Sequence, residues 1–286
     1  MPFLKRIYEI PTPIKSFIFV QKTLQCSNKE AQKILDRGRL AYLATPKIPI
    51  HKADTIVGKV VLEVFEPDGD ITPFFIHRDF ALYHKPHNLL THPKGRFEHA
   101  SLCDSIKARF GNTANPAHRL DYETSGILLA TTHKKSEVTF KKLFEDNQVK
   151  KTYLAQVQGI ISQDRIIDLP ILVPKREDKT QDLGIKSQIH PDGKPSRTHI
   201  RVLGHLGEST LLEVTPFTGR THQIRLHLAS IGHAIIGEPL YGDSEQKARE
   251  YLKNKLVSEN ILRLQAKSLE FSYQGAHYYC ATPADF

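Results

Sequence analysis

The stretch HRLDYETSGILLATT, His118 to Thr132, places charged residues directly ahead of an apolar segment. The run Ile127 to Thr131 is predicted to be a buried strand, because it is short, apolar and preceded by turn residues. An aspartate at the mouth of such a strand is either a turn residue or a charge held in place for chemistry. If Asp121 is chemical, it must stay ionised, which requires a nearby cation that lowers its pKa. Arg119 is a poor candidate for direct pairing, so we expect a cation from a distant segment.

A second group of candidate residues surrounds a helix predicted over roughly Arg220 to Ile231. Thr218 or Thr221 can cap this helix, so that its amide groups and the positive end of its dipole are open to a phosphate. Arg220 and Arg225 are five residues apart and point in different directions, so one can bind a polyanion backbone while the other turns inward. An amphipathic helix with solvated arginines is the alternative interpretation.

The segment VKKTYLAQVQG contributes a third candidate, Tyr153. As a strand, it places Tyr153, Ala155 and Val157 on one face, because side chains alternate along a strand. Tyr153 lies at the mouth of that strand, where its ring could stack on a nucleic-acid base. A structural tyrosine in a sheet is the alternative.

Several other kinds of site are excluded because their motifs are missing. The chain has no GxSxG nucleophile, no P-loop, no HExxH and no HxE followed by PCxxC, the signature of a zinc deaminase. His222 and His227 are five residues apart, which does not place them on one helix face, so no metal site is expected. The 3 cysteines are far apart and form no CxxC pair. Neither a disulfide framework nor structural zinc is therefore expected, and a reducing cytoplasm fits.

Composition and charge indicate a globular chain with a polyanionic partner. The chain has 286 residues, enough for one large domain and a small one, and 40% of them are apolar. Its 40 lysines and arginines exceed the 31 acids, giving a net charge of +9, which favours nucleic acid as a partner. The N-terminus lacks the apolar core of a signal peptide, and no window approaches the roughly 20 apolar residues of a membrane span. We therefore expect no membrane association.

The N-terminal part of the chain contains a short cationic helix, SNKEAQKILDRGRL at residues 27–40. Ser27 and Glu30 form a capping box, and Gly38 is a natural terminator. The cations that lie off its apolar stripe are Lys29, Lys33, Arg37 and Arg39. They indicate a surface that faces phosphate, whereas an ordinary solvated face is the alternative. An alternating strand, DTIVGKVVLEVF, follows, and Glu66 to Pro73 is the predicted domain boundary because Pro, Gly and Asp cluster there.

Strands dominate the rest of the chain, and two predicted helices interrupt them, roughly Lys134 to Asn147 and Arg220 to Ile231. The strands are predicted in FFIHRDFALYHKP, TSGILLATT, KTYLAQVQGI, SRTHIRVLGH, STLLEVTP and RLQAKSLEFSY. This order predicts an α+β domain with a mixed, mainly antiparallel sheet and flanking helices. The charged segment 173–197 is predicted to be an exposed, mobile loop.

Four segments, in the same order, resemble the motifs of the RluA-type pseudouridine synthase family. They are KPHNLLTHP (85–93), HRLDYETSGILLA (118–130), KTYLAQVQG (151–159) and GRTHQIRLHLASIGHAIIGEPLYG (219–242). In the first, His87 and Asn88 stand where a more usual member has a small residue and Gly. The resemblance covers about residues 74–286, including the C-terminal LQAKSLEFSYQGAHYYCATPADF, and implies the fold of that family. Residues 71–286 are therefore expected to be the catalytic domain.

Residues 11–66 resemble a small α/β RNA-binding module of the S4 type. SNKEAQKILDRGRL matches the helix of that module, and DTIVGKVVLEVF matches its closing strand. The usual Val-Asn-Gly turn is replaced by YLATPKIPIHK. Residues 1–70 are therefore expected to form an S4-like module.

The resemblance implies isomerisation of uridine to pseudouridine in structured RNA. The bond from C1′ to N1 breaks, the base rotates, and C5 joins C1′, with no metal or organic cofactor. By its place in the motif, Asp121 would be the nucleophile or base that starts the reaction, and Tyr153 would stack on the uracil and help to remove the C5 proton. Arg225, in preference to Arg220, would form the ion pair that keeps Asp121 ionised. Arg119 would fill the gap left in the duplex or bind the backbone of the flipped nucleotide.

This reaction requires the target base to leave the stacked helix, at a cost of a few kcal/mol that phosphate contacts on a basic surface offset. The residues expected to bind RNA are Arg119, His118, Lys85, Arg220, His222, Gln223, Lys29, Lys33, Arg37 and Arg39. Large-subunit ribosomal RNA is the preferred substrate, and transfer RNA is the alternative. A cytoplasmic monomer is expected.

Two other functions compete with this interpretation. A non-catalytic RNA-binding or ribosome-assembly protein would need the same basic surface but no ionised Asp121. A glycosidase acting on a nucleoside would need two carboxylates that flank the scissile bond. Glu123 is the only acid close to Asp121 in the sequence, so this second alternative is weakly supported.

Overall fold

A computed structural model describes most of the chain, which divides into two compact units. The described residues are 3–65, 71–93, 101–174, 186–242, 244–253 and 261–286. The first unit contains Met1–Gly69 and Pro93–Ala100, and the second contains Asp70–His92 and Ser101–Phe286. Among the described residues, no helix has the length and apolar character needed to cross a membrane.

The first unit is a three-stranded antiparallel sheet that shares one apolar core with two helices. Its elements are β1 (Phe3–Lys15), α1 (Ser16–Leu24), α2 (Asn28–Asp36), β2 (Leu40–Tyr42) and β3 (Thr55–Phe65). Strand β3 lies between β1 and β2. Val60, Leu62 and Val64 of β3 are buried together with Val20 of α1 and Leu35 of α2. The alternation predicted for this strand is confirmed, whereas β1 and α1 were not predicted.

Helix α2 forms where the sequence predicts it. The Ser27 amide donates to Glu30 Oε2 at 3.0 Å, and the Glu30 amide donates to Ser27 Oγ at 3.4 Å, which completes the capping box. The helix ends at Asp36, two residues before Gly38, whose φ is +67°. Lys29, Lys33 and Arg37 are exposed.

The placement of Arg39 on that cationic surface is wrong. Arg39 follows the end of α2 and is buried, with 7% of its surface exposed. Its backbone carbonyl accepts a hydrogen bond from the Glu63 amide of β3, so this part of the chain runs along the sheet rather than along the helix surface.

The second unit is an α+β domain whose main sheet has ten strands among the described residues. Its strands are β4 (Phe75–Ile76), β5 (Phe80–Lys85), β6 (Asn115–Pro116), β7 (Ser125–Thr131), β8 (Lys150–Gln158), β9 (Arg165–Asp168), β12 (Arg197–Leu206), β13 (Ser209–Pro216), β14 (Leu264–Tyr273) and β15 (Ala276–Ala281). The order is β4-β5-β7-β14-β8-β13-β12-β9, with β15 paired to β14 and β6 paired to β7. All pairs are antiparallel except β7 with β14. The mixed, mainly antiparallel sheet and its six predicted strand segments are confirmed.

Four helices flank this sheet among the described residues: α3 (Leu102–Phe110), α4 (Lys134–Glu145), α5 (Gln223–Ser230) and α6 (Glu245–Lys253). Helix α4 confirms the prediction to within two residues, and α3 and α6 were not predicted. Helix α5 begins three residues later than predicted, and the threonine cap is wrong. Its N-cap is His222, which has a left-handed φ of 57° and no side-chain cap hydrogen bond. The Gln223 Oε1 atom accepts from the Thr218 hydroxyl and the Arg220 amide. Gln223 thereby holds the loop before the helix, whereas the threonines were expected to cap the helix itself.

The predicted mobile loop at 173–197 lies partly outside the described residues, which omit 175–185. The described remainder departs from the prediction. Strand β11 (Gln188–Ile189) pairs with β10 (Ile171–Leu172), and Ser187 and Ser196 are buried. Residues 66–70 of the predicted domain boundary also lie outside the described residues.

A row of paired residues crosses the middle of the main sheet and connects the segments of chemical interest. Gly126 of β7 pairs with Ala266 of β14, which pairs with Tyr153 of β8. A Cβ atom at Gly126 would lie 2.2 Å from the Ala266 carbonyl oxygen, and Gly126 has a φ of +108°. Only glycine permits this approach, because it lacks the Cβ and accepts a positive φ. The start of β7, which follows the turn that carries Asp121, is thereby held against β14, the strand that pairs with β8 at Tyr153.

Gly126→Ala should lower the free energy of unfolding by at least about 2 kcal/mol, because the methyl group meets backbone atoms and the φ is unfavourable. The measurement is urea denaturation of the full chain. Gly204→Ala is the matched control, because a Cβ there meets nothing within 4 Å and φ is not positive. Equal stability of the two variants would contradict the close packing of β7 on β14.

Candidate active site

A cavity of about 670 Å³ in the second unit gathers the three residues predicted to carry the chemistry. Asp121 enters it from the turn before β7, Tyr153 from the start of β8, and Arg225 from α5. The same cavity is also lined by Arg119, Arg220 and His222, which are among the residues expected to bind RNA. The cavity therefore joins segments that are more than 100 residues apart in the sequence.

The Asp121 side chain lines the cavity and forms no hydrogen bond among the described residues. Its side chain is 18% exposed. Oδ2 lies 3.7 Å from Arg225 Nη1, and Oδ1 lies 3.9 Å from His222 Nε2. Both distances exceed hydrogen-bond length. In the part of the chain that the structure describes, both oxygens therefore remain open to a substrate, with the guanidinium close by.

Arg225 is the distant cation that the sequence required, but Asp121 is not its closest partner. The guanidinium is fully buried and makes a bidentate pair with Glu238, with Nε at 2.8 Å and Nη2 at 2.6 Å from the carboxylate oxygens. Nη1 donates to Glu123 Oε2 at 2.9 Å. Burial lowers the pKa of Arg225, but the carboxylates outweigh it and raise that pKa well above its ordinary value. The expected pairing of Arg225 with Asp121 is thus the longest of three.

Glu123 is buried and takes part in this network, a role that the sequence did not reveal. The Tyr251 hydroxyl of α6 donates to Glu123 Oε1, while Oε2 accepts from Arg225. Burial raises the pKa of Glu123, but Arg225 and the Tyr251 hydroxyl outweigh it and bring the pKa down to about 2. Glu123 is therefore ionised and committed to structure. Glu238 lies in the GEPLYG segment that the sequence marked, whereas nothing in the sequence pointed to Tyr251.

Tyr153 stands beside Asp121 with its phenol protonated. Burial, with a contribution from the Asp121 carboxylate, raises the pKa of the Tyr153 hydroxyl above its ordinary value. Its ring packs against both apolar clusters of the second unit while lining the cavity. A protonated, anchored ring suits stacking on a base better than removal of a proton by a phenolate.

Two of the expected RNA-binding residues are held in the interior instead. Lys85 is fully buried, and its Nζ donates to the carbonyl oxygens of Pro86, Leu89 and Tyr122. Burial lowers its pKa to about 7, although Asp121 and Glu123 act in the opposite direction. Gln223 is 4% exposed, and its amide donates to the Arg197 carbonyl and the Thr198 hydroxyl. Both side chains position the chain around the cavity and have no free donor for RNA.

His118 and His222 line the cavity as neutral rings. His118 stacks on Phe144 with centroids 4.4 Å apart, and its Nε2 accepts from the Leu129 amide at 3.0 Å. Burial lowers the pKa of His118 to about 3. His222 Nδ1 lies 2.8 Å from the Tyr241 hydroxyl, and burial lowers the pKa of His222 although Asp121 raises it. Neither ring supplies a positive charge for phosphate at neutral pH.

Arg119 and Arg220 are the other two cations at this cavity that were expected to bind RNA. Arg119 is exposed at the cavity edge, and the Arg220 Nε is buried without a hydrogen-bond partner among the described residues. Within the described ranges, no three His, Cys, Asp or Glu side chains are arranged to hold a metal ion. The arrangement supplies a negative carboxylate, an aromatic surface and uncommitted cations, which together suit a nucleotide.

Comparison with known proteins decides the family. The sequence profile of RNA pseudouridylate synthases matches residues 79–230. A protein described as an uncharacterized RNA pseudouridine synthase of Helicobacter pylori strain J99 is 46% identical over 99% of this chain and 96% of the relative.

The chain belongs to the RNA pseudouridine synthase family. It is an isomerase that acts on uridine in RNA.

Other relatives of this synthase carry more specific names. The dual-specificity RNA pseudouridine synthase RluA of Haemophilus ducreyi is 35% identical over 65% of this chain and 86% of the relative. The ribosomal large subunit pseudouridine synthase D of Nitrosomonas europaea is 33% identical over 67% of this chain and 52% of the relative. The structure of human RNA pseudouridylate synthase domain containing 1 has a TM-score of 0.60, with 24% identity over 75% of this chain and 84% of that chain. The synthase therefore has the fold of this family.

The free energy of unfolding should depend on pH through the ionisation of Glu123. Its folded pKa of about 2 lies below its ordinary value of 4.5, so its contribution is complete above pH 4.5 and is lost as the pH falls towards 2. The difference corresponds to about 3 kcal/mol. The unfolding free energy of wild type should therefore exceed that of Glu123→Gln at pH 6, and the gap should close between pH 5 and 2.

Denaturant titrations at several pH values measure this gap. Glu208→Gln in an exposed turn is the control and should leave the pH dependence of wild type unchanged. Parallel curves for wild type and Glu123→Gln would mean that Glu123 is not held ionised by Arg225.

Proposed function

We propose that this synthase converts specific uridines of large-subunit ribosomal RNA, with Asp121 as its catalytic residue. The observation that carries the proposal is the Asp121 carboxylate, which lies in the cavity near Arg225 with both oxygens free of hydrogen bonds among the described residues. Asp121 starts the reaction either as a nucleophile at C1′ or as a base. Over the reaction the C1′–N1 bond breaks, the C5–C1′ bond forms, and a proton leaves C5 while N1 gains one.

Tyr153 is proposed to hold the flipped uracil by stacking. Flipping costs a few kcal/mol of lost stacking and pairing, and an aromatic ring in the pocket returns part of that energy. The position of Tyr153 beside Asp121 in the cavity supports this role. Arg225 is proposed to keep Asp121 charged and to orient its loop through Glu123. Arg119, exposed at the cavity edge, is proposed to contact the RNA that the base has left.

The preference for ribosomal RNA rests on two observations. One relative carries the printed name ribosomal large subunit pseudouridine synthase D, and the first unit presents Lys29, Lys33 and Arg37 on one exposed helix. We propose that residues 1–70 are an S4-like RNA-binding module beside a catalytic domain at 71–286. Transfer RNA is the alternative substrate, and pseudouridine mapping decides between the two. We place the enzyme in the cytoplasm as a monomer.

The glycosidase alternative requires a second free carboxylate beside Asp121. Glu123 does not meet that requirement, because Arg225 and Tyr251 occupy its two oxygens. A non-catalytic RNA-binding protein would retain RNA affinity without making product, and the first experiment below separates it from a synthase.

Asp121→Asn should lower the rate of pseudouridine formation by at least about 10²-fold while leaving RNA affinity and thermal stability close to wild type. Removing the charge removes the reactive group but few packing contacts. The substrate is total ribosomal RNA from a deletion strain, and product is measured by pseudouridine mapping. Asp192→Asn is the control, since that carboxylate is 85% exposed and outside the cavity. Full activity of Asp121→Asn would refute the assignment.

Pseudouridine mapping in a deletion strain should show loss of one or more sites in large-subunit ribosomal RNA and restoration by the wild-type gene. Complementation with Asp121→Asn is the control and should restore none. Loss confined to transfer RNA would overturn the proposed substrate and leave the reaction intact.

Lys29→Gln with Lys33→Gln should weaken ribosomal RNA binding and reduce the salt slope of log affinity by up to about two, because each phosphate contact releases counterions. The matched control is Lys5→Gln with Lys59→Gln, two exposed lysines on the sheet of the same unit. Equal effects of the two pairs would mean that α2 is no special RNA surface.

A further inference from the structure

Lys151 places an uncommitted positive charge inside the cavity, next to the proposed base-binding residue. It lies two residues before Tyr153 on β8, so both side chains project from the same face of the strand, and both line the cavity. Their Cα atoms are about 6.6 Å apart by the rise of a strand. Lys151 belongs to no part of the Arg225 network.

The Lys151 side chain is partly buried in the cavity and has no counter-charge among the described residues. Its side chain is half-buried, and among the described residues Nζ has neither a hydrogen bond nor an ion pair. Burial lowers the pKa of Lys151, and no carboxylate opposes that effect. An anionic group that enters the cavity would therefore meet an ammonium that has no competing partner among the described residues.

Two other lysines show how this chain treats cations that it does use structurally. The fully buried Lys85 satisfies its ammonium with three carbonyl oxygens. Lys150, the neighbour of Lys151, points to the other face of β8 and lies 3.2 Å from Glu270 Oε2. Lys151 has neither kind of partner among the described residues. Unlike Lys85 and Lys150, it lines the cavity.

The space beside Lys151 is kept open on the side of the loop before α5. A Cβ atom built on Gly219 would lie 3.8 Å from Lys151 Nζ, so the glycine leaves room next to the ammonium. The following residue, Arg220, has a buried Nε without a hydrogen-bond partner among the described residues. Lys151 and Arg220 thus both line the cavity, and neither forms an ion pair among the described residues.

We propose that Lys151 binds a phosphodiester oxygen of the target uridine, with Arg220 beside it. This inference rests on the proposed function, in which Asp121 and Tyr153 take the ribose and the uracil. The Asp121 carboxylate repels a phosphate, so the phosphate of the same nucleotide should approach the cations that line the cavity, Lys151 and Arg220. An ammonium supplies a point charge and three donors for it. Lys151 therefore sets the position of the nucleotide along the cavity without taking part in bond breaking.

The first test compares Lys151→Gln with the neighbouring control Lys150→Gln. Lys151→Gln should raise KM for an RNA stem–loop that carries the mapped uridine by about tenfold, with kcat nearly unchanged. The salt slope of its log affinity should fall by about one. Lys151→Arg should retain most of the affinity, and Lys150→Gln should behave as wild type. Thermal unfolding of each variant verifies folding.

The second test changes the RNA instead of the protein. A neutral methylphosphonate replaces, one at a time, the phosphates that flank the target uridine. One replacement should weaken binding to wild type by about the same factor as Lys151→Gln and should add nothing to that variant. A methylphosphonate penalty that is equal in wild type and Lys151→Gln would overturn the proposal. Should Lys151→Gln fail to fold, the absence of any methylphosphonate penalty in wild type would overturn it.

A fall in kcat at unchanged KM would also overturn the proposal, since Lys151 would then act on Asp121 rather than on phosphate. Failure of the proposed function has a separate signature, because wild type itself would then make no pseudouridine at the mapped position.

Discussion

The buried guanidinium of Arg225 is the interaction on which the active site depends. It faces three carboxylates, two of which bind it directly, and a charged arginine without them could not be buried at this position. Glu238 and Glu123 fix its plane through three hydrogen bonds. Asp121 lies 3.7 Å from the same guanidinium and forms no hydrogen bond with it, so its oxygens stay open among the described residues. Glu238 and Glu123 thus stabilise the charge of Arg225, while the third acid, Asp121, keeps its oxygens available.

This network also explains why the loop before β7 has its conformation. Glu123 anchors the loop from one side through Arg225 and Tyr251, and the buried Lys85 anchors it from another through the Tyr122 carbonyl. Gly126 then carries the chain into a strand that lies against Ala266. The chain directly after Asp121 is therefore held in place, and the Asp121 side chain is positioned without a hydrogen bond of its own among the described residues.

The cavity is lined by side chains of both charges. Asp121 lies at the Arg225 network, where neutral histidines and a protonated Tyr153 add no competing charge at neutral pH. Lys151 and Arg220 line the same cavity. A nucleotide carries an uncharged base and ribose together with an anionic phosphate, so it can engage both sets of side chains. The low dielectric of a partly enclosed cavity makes each of these charges more effective than it would be in water.

The sequence by itself determined the local structures and the identity of the central residues. Periodicity placed six strand segments of the main sheet, the capping box placed α2, and the motif around Asp121 singled out that carboxylate as the candidate for chemistry, because these features depend on neighbours within a few residues. It also required a distant cation for Asp121. Tertiary structure alone decided how that cation is shared, that Lys85 and Gln223 are interior, and that Tyr251 reaches Glu123 across 128 positions of sequence. These depend on which strands become neighbours, and hydrogen-bond partners so far apart along the chain leave no periodic pattern in the sequence.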